Sequence, residues 1–266
     1  MANCWIIASG KGGVGKTMLT AALGHALTEL GKSVCIVDAD IGLRDQDLVL
    51  NLQDRVVYDL LDVCESHCDI ELALIPSPTV KNLSLLPAAQ FARVGDLESK
   101  HFKKAMKQLR TRFEWILIDC PAGVEKGLRN VLRAELDGGL LVVTPDDVCI
   151  RNAERTAALL RDKQQPSPGV VVNRLHADLV ASGEMYSAKT VAETLDLHLL
   201  GEIPDDPAVY RALLQKRSLL DQPSEAAEAV RRIARRMTGE EVPYRAYGQP
   251  KPGWWARLWH RKGGIR

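Results

Sequence analysis

The sequence predicts an α/β fold: a mostly parallel β-sheet with helices on both faces. Three observations predict it. Short apolar runs alternate with segments of helical period along most of the chain, the pattern of a parallel sheet covered on both sides. Several of these runs end on Gly, Asp or Thr-Pro, where strands of such sheets hand over to ligand-binding loops. The length of 266 residues, 46% of them apolar, suits one domain with a substantial core.

The elements follow in chain order. Residues 4–9 form an apolar run that ends in glycines. Residues 17–30 have helical spacing and stop at Gly31. Residues 33–37 are rich in β-formers and lead into Asp38, and 83–86 form a short run before Pro87. Residues 94–110 read as an amphipathic helix. Residues 115–118 read as a buried strand ending at Asp119, and 139–143 as another ending at Thr144-Pro145. Then come a helix over 149–161, a strand over 170–172, a helix over 188–195, a strand over 199–203 and a basic helix over 226–237. Residues 238–252 hold two Gly and three Pro and read as a linker. The chain thus divides into a domain over 1–237, a linker over 238–252 and a tail over 253–266.

Net charge is +1, so no global field draws nucleic acid or membrane. The charge is uneven, however: Lys251, Arg257, Arg261, Lys262 and Arg266 are not balanced by any acidic residue after position 248. Aromatics make up only 5% of the chain, yet three of its five Trp lie in the last thirteen residues. Six cysteines do not suggest a disulfide framework. Cys4 and Cys35 fall in strand-like runs and read as core residues. Cys64, His67 and Cys68 form C-x-x-H-C, but no second ligand pair stands at a suitable spacing for zinc. With no leader pattern and no run of ~18 apolar residues, the expected compartment is the cytosol.

Gly10-Lys11-Gly12-Gly13-Val14-Gly15-Lys16-Thr17 fits the phosphate-loop pattern G-x-x-x-x-G-K-[ST], between a strand and a helix as that pattern requires. Its glycines let backbone N–H groups fold around phosphate oxygens, and the helix N-terminus adds a favourable dipole. Lys16 is expected to reach the β/γ-phosphates and Thr17 to hold Mg²⁺. Lys11 is not needed to build the loop; it could fold back on its own nucleotide or reach the phosphates of a facing subunit. Asp38 and Asp40, in V-D-A-D-I-G, and Asp119, in I-L-I-D-C-P-A-G, stand at strand ends. A carboxylate there commonly holds Mg²⁺ through water, and another can orient the attacking water. Asp45 and Asp47 read as solvated.

The tail has its own physical logic. At about 100° per residue, Trp254, Trp255, Leu258 and Trp259 share one helical face, flanked by Arg257 and Arg261, with Lys262 at its far end. Trp favours the interfacial zone of a bilayer and cations attract anionic headgroups. A reversible membrane anchor is expected, strengthened when two tails act together.

With Lys11 added to the loop, G-K-G-G-V-G-K-T resembles the deviant Walker A motif of the MinD/ParA family of P-loop ATPases. Residues 38–48 (D-A-D-I-G-L-R-D-Q-D-L), followed by R-V-V-Y-D-L from Arg55, narrow the resemblance to the septum-siting branch of that family. L-P-A-A-Q at Leu86, D-C-P-A-G at Asp119 and G-E-I-P-D-D at Gly201 are similar too, so the likeness runs through essentially the whole chain. It implies an ATP-hydrolysing dimerisation switch with ATP and Mg²⁺ as cofactors. The nucleotide would be bound by residues 10–17 and by Met18, Asn173, Pro204 and Asp205, the last three at the adenine. Lys11 would cross to the partner's phosphates, Asp40 would position water, and Thr17, Asp38 and Asp119 would organise the metal. The expected partners are a second copy, the division inhibitor MinC, the stimulating protein MinE and the anionic inner face of the inner membrane, with no nucleic acid. Met18, Asp45 and Cys120 depart from the family's usual Thr, Asn and Ser.

Other readings stay open on sequence alone: a DNA-partitioning ATPase, on the basic face Arg231, Arg232, Arg235 and Arg236; a flagellar-placement ATPase, against which the block after Arg55 speaks; and a reductase with a bridged metal cluster, for which Cys120 is the one candidate ligand.

Overall fold

The computed structural model describes residues 2–92, 96–123, 126–163, 168–245 and 247. The first half of the chain runs β1 (Asn3–Ser9), α1 (Lys16–Glu29), β2 (Val34–Asp38), α2 (Gln46–Val49), α3 (Leu60–Cys64), α4 (Ile70–Ala73), β3 (Ile75–Pro76), β4 (Leu83–Leu86), α5 (Ser99–Leu109) and β5 (Trp115–Asp119). The second half runs α6 (Lys126–Val131), β6 (Gly138–Val143), α7 (Asp147–Lys163), β7 (Gly169–Leu175), α8 (Ala177–Ser182), α9 (Ala188–Leu195), β8 (His198–Pro204), α10 (Pro207–Leu214) and α11 (Glu225–Met237).

The strands form one sheet in the order β3-β4-β2-β5-β1-β6-β7-β8. Every pairing is parallel except β3 with β4 at one edge. β2, β5 and β6 are buried along their whole length, which is why they read as unbroken apolar runs rather than alternating ones. Crossovers between parallel strands are right-handed, so α1, which leads from β1 toward the β3 edge, and α7, which leads from β6 toward the β8 edge, lie on opposite faces. α11 packs against α1, and α9 against α7.

This topology delivers the functional loops to one rim. The loop after β1, Asp38 at the end of β2, Asp119 at the end of β5, Asn173 in β7 and Pro204 at the end of β8 all lie at the carboxyl ends of parallel strands. Asp38 and Asp119 are direct neighbours in the β2–β5 register, and Ile7 is paired with Asp119 on the other side.

The structure differs from the sequence expectation in four places. The helix expected from residue 94 starts at Ser99, because Glu98 ahead of it is extended and Leu97 turns into the core. The short helices α2, α3, α4, α6, α8 and α10 and the antiparallel strand β3 were not among the expected elements. Asp47, expected in solvent, is 1% exposed and pairs with Arg44 Nε at 2.9 Å; burial pushes its carboxyl up, with Arg44 opposing. Fourth, the described part of the linker does not hang free. Arg236 donates to the carbonyls of Leu200, Val242 and Pro243 and stacks on the Tyr244 ring at 4.0 Å. Tyr244 hydroxyl donates to the Leu199 carbonyl, and Arg232 reaches Tyr247 hydroxyl at 3.3 Å. Residues 240–245 therefore form a strap tied to α11 and the edge strand β8.

The same contacts account for the basic face of α11. Arg231 pairs with Glu29 and Glu228, Arg235 with Glu240, and Arg236 is spent on carbonyls. Among the described residues no helix is long and apolar enough to cross a membrane.

Candidate active site

The loop after β1 is shaped by its glycines. Gly13 and Gly15 have φ of 80° and 94°, in the left-handed region that side chains with a Cβ avoid. A Cβ on Gly15 would also stand 2.5 Å from Asn173 Nδ2. Among the described residues nothing lies within 4 Å of a Cβ position on Gly12 or Gly13, which leaves that side of the loop open. Gly15 caps α1 without a side-chain hydrogen bond, and no acid lies in the first turn, so the free N–H groups of that turn are available to an anion. At the loop's entry Ser9 Oγ is buried without a hydrogen-bond partner among the described residues. These features fit a bound polyphosphate.

Lys16 opens α1 and is 7% exposed. Its Nζ lies 2.5 Å from Asp119 Oδ1 and 3.7 Å from Asp40 Oδ2. Burial works against its charge, but Asp119 and Asp40 together hold its pKa above the usual value. Thr20 Oγ1 reaches the same Asp119 oxygen at 3.3 Å. Asp38 is fully buried, and its oxygens accept the backbone N–H of Asp40 at 3.0 Å and of Gln46 at 3.1 Å. Burial and the Asp119 charge raise the Asp38 pKa. Asp38 thus holds the turn that carries Asp40. Asp40 keeps 15% exposure, and burial, partly offset by Lys16, pushes its pKa up to about 6.

Gln46 was missed by sequence reasoning. Its side chain is fully buried and donates to the Thr17 carbonyl at 3.1 Å and to Asp119 Oδ2 at 2.9 Å. A polar residue between Asp45 and Asp47 gave no signal of its own. Lys11 is exposed on the loop. Burial opposes it, but the Thr144 hydroxyl, the Cys149 N–H and the Lys11 charge hold the Asp146 carboxyl below its usual range.

On the far side of the loop a cavity of about 110 Å³ is lined by Gly15, Met18, Asn173, Arg174, Pro204 and Asp205 among others. Asn173 Nδ2 donates to the Val14 carbonyl at 2.8 Å, tying β7 to the phosphate loop. The β7–β8 register shifts between Val172 and Leu175, and Arg174 there takes a φ of 60°. Asp205 is fixed through its N–H to the Leu175 carbonyl at 2.9 Å. The three residues expected at the adenine therefore share one cavity next to Gly15.

Residues 1–238 match the family model described as "ParA: NUBPL iron-transfer P-loop NTPase". The chain is 37% identical over 261 residues to the septum site-determining protein MinD of Bacillus subtilis, covering 97% of each. The chain belongs to the MinD family of P-loop ATPases. MinD in the MinC:MinD cell division complex of Aquifex aeolicus superposes with a TM-score of 0.85 at 37% identity, over 93% of this chain and 100% of that one. MinD of Pyrococcus horikoshii, complexed with Mg-ADP, gives 0.78 at 28% identity, over 89% and 96%.

As a MinD-family ATPase the chain hydrolyses ATP with Mg²⁺. Its donor set suits that work: a loop of free amides with one lysine for the phosphates, and a hydroxyl and carboxylates for a hard cation. Cys120 is fully buried with its thiol turned toward the Ile118 carbonyl, and burial pushes its pKa up, so it does not face a subunit interface as a cluster ligand would. Trp254, Trp255, Arg257, Leu258, Trp259, Arg261 and Lys262 lie outside the described residues.

Proposed function

We propose that the chain is an ATP-driven dimerisation switch that binds the inner membrane when ATP-bound and positions the division septum by recruiting an inhibitor. The observation that carries the reading is the convergence of Lys16, Asp40 and Asp119 beneath an open phosphate loop, in a chain whose last residues combine three Trp with a run of uncompensated cations.

Residues 10–17 hold the triphosphate, with Lys16 on the β- and γ-phosphates. Met18, Asn173, Pro204 and Asp205 frame the nucleoside in their cavity. Thr17, Asp38 and Asp119 would hold Mg²⁺, which would neutralise charge that develops on the phosphates. Asp38 also anchors the Asp40 turn. Asp40, the one acid of this group with solvent access, orients the attacking water. Lys11, exposed beside the loop, completes the phosphate site of a facing copy, which makes hydrolysis depend on dimerisation.

The partners proposed are a second copy, a MinC-like inhibitor, a MinE-like stimulator and the anionic cytoplasmic face of the inner membrane. Support for the inhibitor comes from the Aquifex relative, whose structure is a MinC:MinD complex. A DNA-partitioning role is disfavoured by α11, where Arg231 and Arg235 are matched by acids and Arg236 by carbonyls. Sedimentation with anionic liposomes in ATP, in ADP and without nucleotide tests the proposal: ATP-dependent pelleting is expected, and equal pelleting in all three conditions would refute the switch.

A further inference from the structure

Gln46 occupies a position that elementary packing would give to an apolar side chain. It is fully buried at the start of a four-residue helix, against α1. An apolar residue of its size would fill that space without the cost of desolvating an amide. The amide instead makes two bonds, to the Thr17 carbonyl and to Asp119 Oδ2. Both partners are acceptors, so the nitrogen must face them, and this fixes which way the amide points. The backbone N–H of the same residue donates to Asp38 Oδ2 at 3.1 Å. One residue thus donates to both of the carboxylates that face each other across the β2–β5 register. Its carbonyl oxygen, Oε1, is buried with no hydrogen-bond partner among the described residues. Such an orphaned acceptor is costly unless a donor meets it.

We infer that Gln46 is a positioning residue for the Mg²⁺ site, acting through Asp119 and Thr17. Its grip on Asp119 Oδ2 leaves Oδ1, the oxygen now shared by Lys16 and Thr20, turned toward the loop. Its bond to the Thr17 carbonyl holds the first turn of α1, and with it the Thr17 hydroxyl, at a fixed offset from that carboxylate. Its Oε1, buried with no hydrogen-bond partner among the described residues, adds a desolvation cost that the two donated bonds must offset. Mg²⁺ demands near-octahedral geometry, so the groups that orient its protein ligands govern how tightly it is held.

The inference rests on the reading of this rim as a Mg²⁺-nucleotide site, and the test separates the two. ADP affinity is measured by titration calorimetry on the full chain, in excess EDTA and across a Mg²⁺ series, for wild type, Gln46→Leu and Gln46→Met. Both substitutions keep the volume, and the second keeps an unbranched chain if the first fails to fold. The Mg²⁺ concentration that half-maximally strengthens ADP binding should rise about tenfold in the variants, the loss expected for one hydrogen bond to a charged group. Affinity in EDTA should stay within about twofold of wild type. Equal losses with and without Mg²⁺, or a lowered melting temperature with an unchanged Mg²⁺ midpoint, would make Gln46 a packing residue and overturn the inference. Wild-type binding indifferent to Mg²⁺ would instead remove the site reading beneath it.

Discussion

Lys16 is held between two carboxylates in a buried setting, so a substitution there leaves buried charge unpaired. Removing one member of a buried ion pair is costly because the partner is left behind. Lys16→Ala should therefore weaken ATP binding by well over about tenfold, through the lost phosphate contact, and should abolish nucleotide-dependent dimers in light scattering. Asp40→Ala should leave ATP binding intact and cut phosphate release by roughly a hundredfold, the usual contribution of a group that manages the attacking water. Its pH dependence has a definite sign. The folded-state pKa of about 6 lies above the ordinary 3.8. The fold therefore binds this proton more tightly than the unfolded chain does, and the stability Asp40 contributes at low pH is lost as pH rises through about 6. Activity runs the other way: hydrolysis should fall as pH drops through about 6 and the carboxylate is protonated. Asp40→Asn should flatten both profiles near that pH, in melting curves and in rate measurements. At this scale the sequence was legible wherever a residue sits in a spacing pattern that its chemistry requires. Gly10 to Thr17, Asp38, Asp40 and Asp119 lie within one such pattern or at the end of an apolar run. Gln46 and Asp47 were not legible, because their burial comes from α2 folding against α1 and bonding to Asp38 at the end of β2, and nothing in L-R-D-Q-D-L marks which polar residue turns inward.

Among the elements, the strap after α11 is the instructive case. Its Pro, Gly and polar residues match a linker, yet Arg236 alone gives it two carbonyl bonds and a stacked Tyr244, and ties it to β8 through the Leu200 carbonyl. An arginine with its guanidinium in several backbone contacts is invisible to composition. Arg236→Ala should lower stability by about 2 kcal/mol, since it forfeits charge-assisted bonds and a cation–π contact. ATPase activity should be unchanged, because α11 ends at the sheet rim opposite the phosphate loop, near Leu199 and Leu200 at the start of β8. Denaturant melts and hydrogen exchange at residues 199–201 would read both expectations; full protection in the variant would show that the strap is held by other contacts. The helices α1, α7, α9 and α11 were readable because each spans enough residues to display a period, and the buried strands because each is an unbroken apolar run. The helices α2, α3 and α4 have four or five residues, barely one turn, and β3 has two; tertiary contacts make them, and no periodicity could announce them.

For the whole molecule, the central question is how a nucleotide in one rim governs a surface far from it, and the proposed answer is a change in copy number. Lys11→Ala should test the first half of that link: it should lower stimulated hydrolysis much more than nucleotide affinity, because an exposed lysine that the loop does not need matters only across a dimer. Equal losses in a binding titration and in phosphate release would place Lys11 within its own subunit. The second half concerns the tail. The described chain is held as far as Tyr247, by Arg232, before the tail begins, so folding should not need residues 253–266. Deleting them should therefore leave a folded, dimerising ATPase that no longer sediments with anionic liposomes. A single tail supplies one Trp/Leu face and a few cations worth about 1 kcal/mol each near the headgroups, which is weak and reversible. Two tails on one dimer act at an effective concentration set by their spacing, so ATP should promote binding of the full chain with no new contact. Raising salt should weaken that binding as the charges are screened. Replacing Trp254, Trp255 and Trp259 with Ala should leave the salt-dependent attraction but little insertion, seen as loss of pelleting at moderate ionic strength. If the truncated chain still pelleted with liposomes in ATP, the membrane surface would lie on the domain itself, and the strap would be holding α11 and β8 together for stability alone.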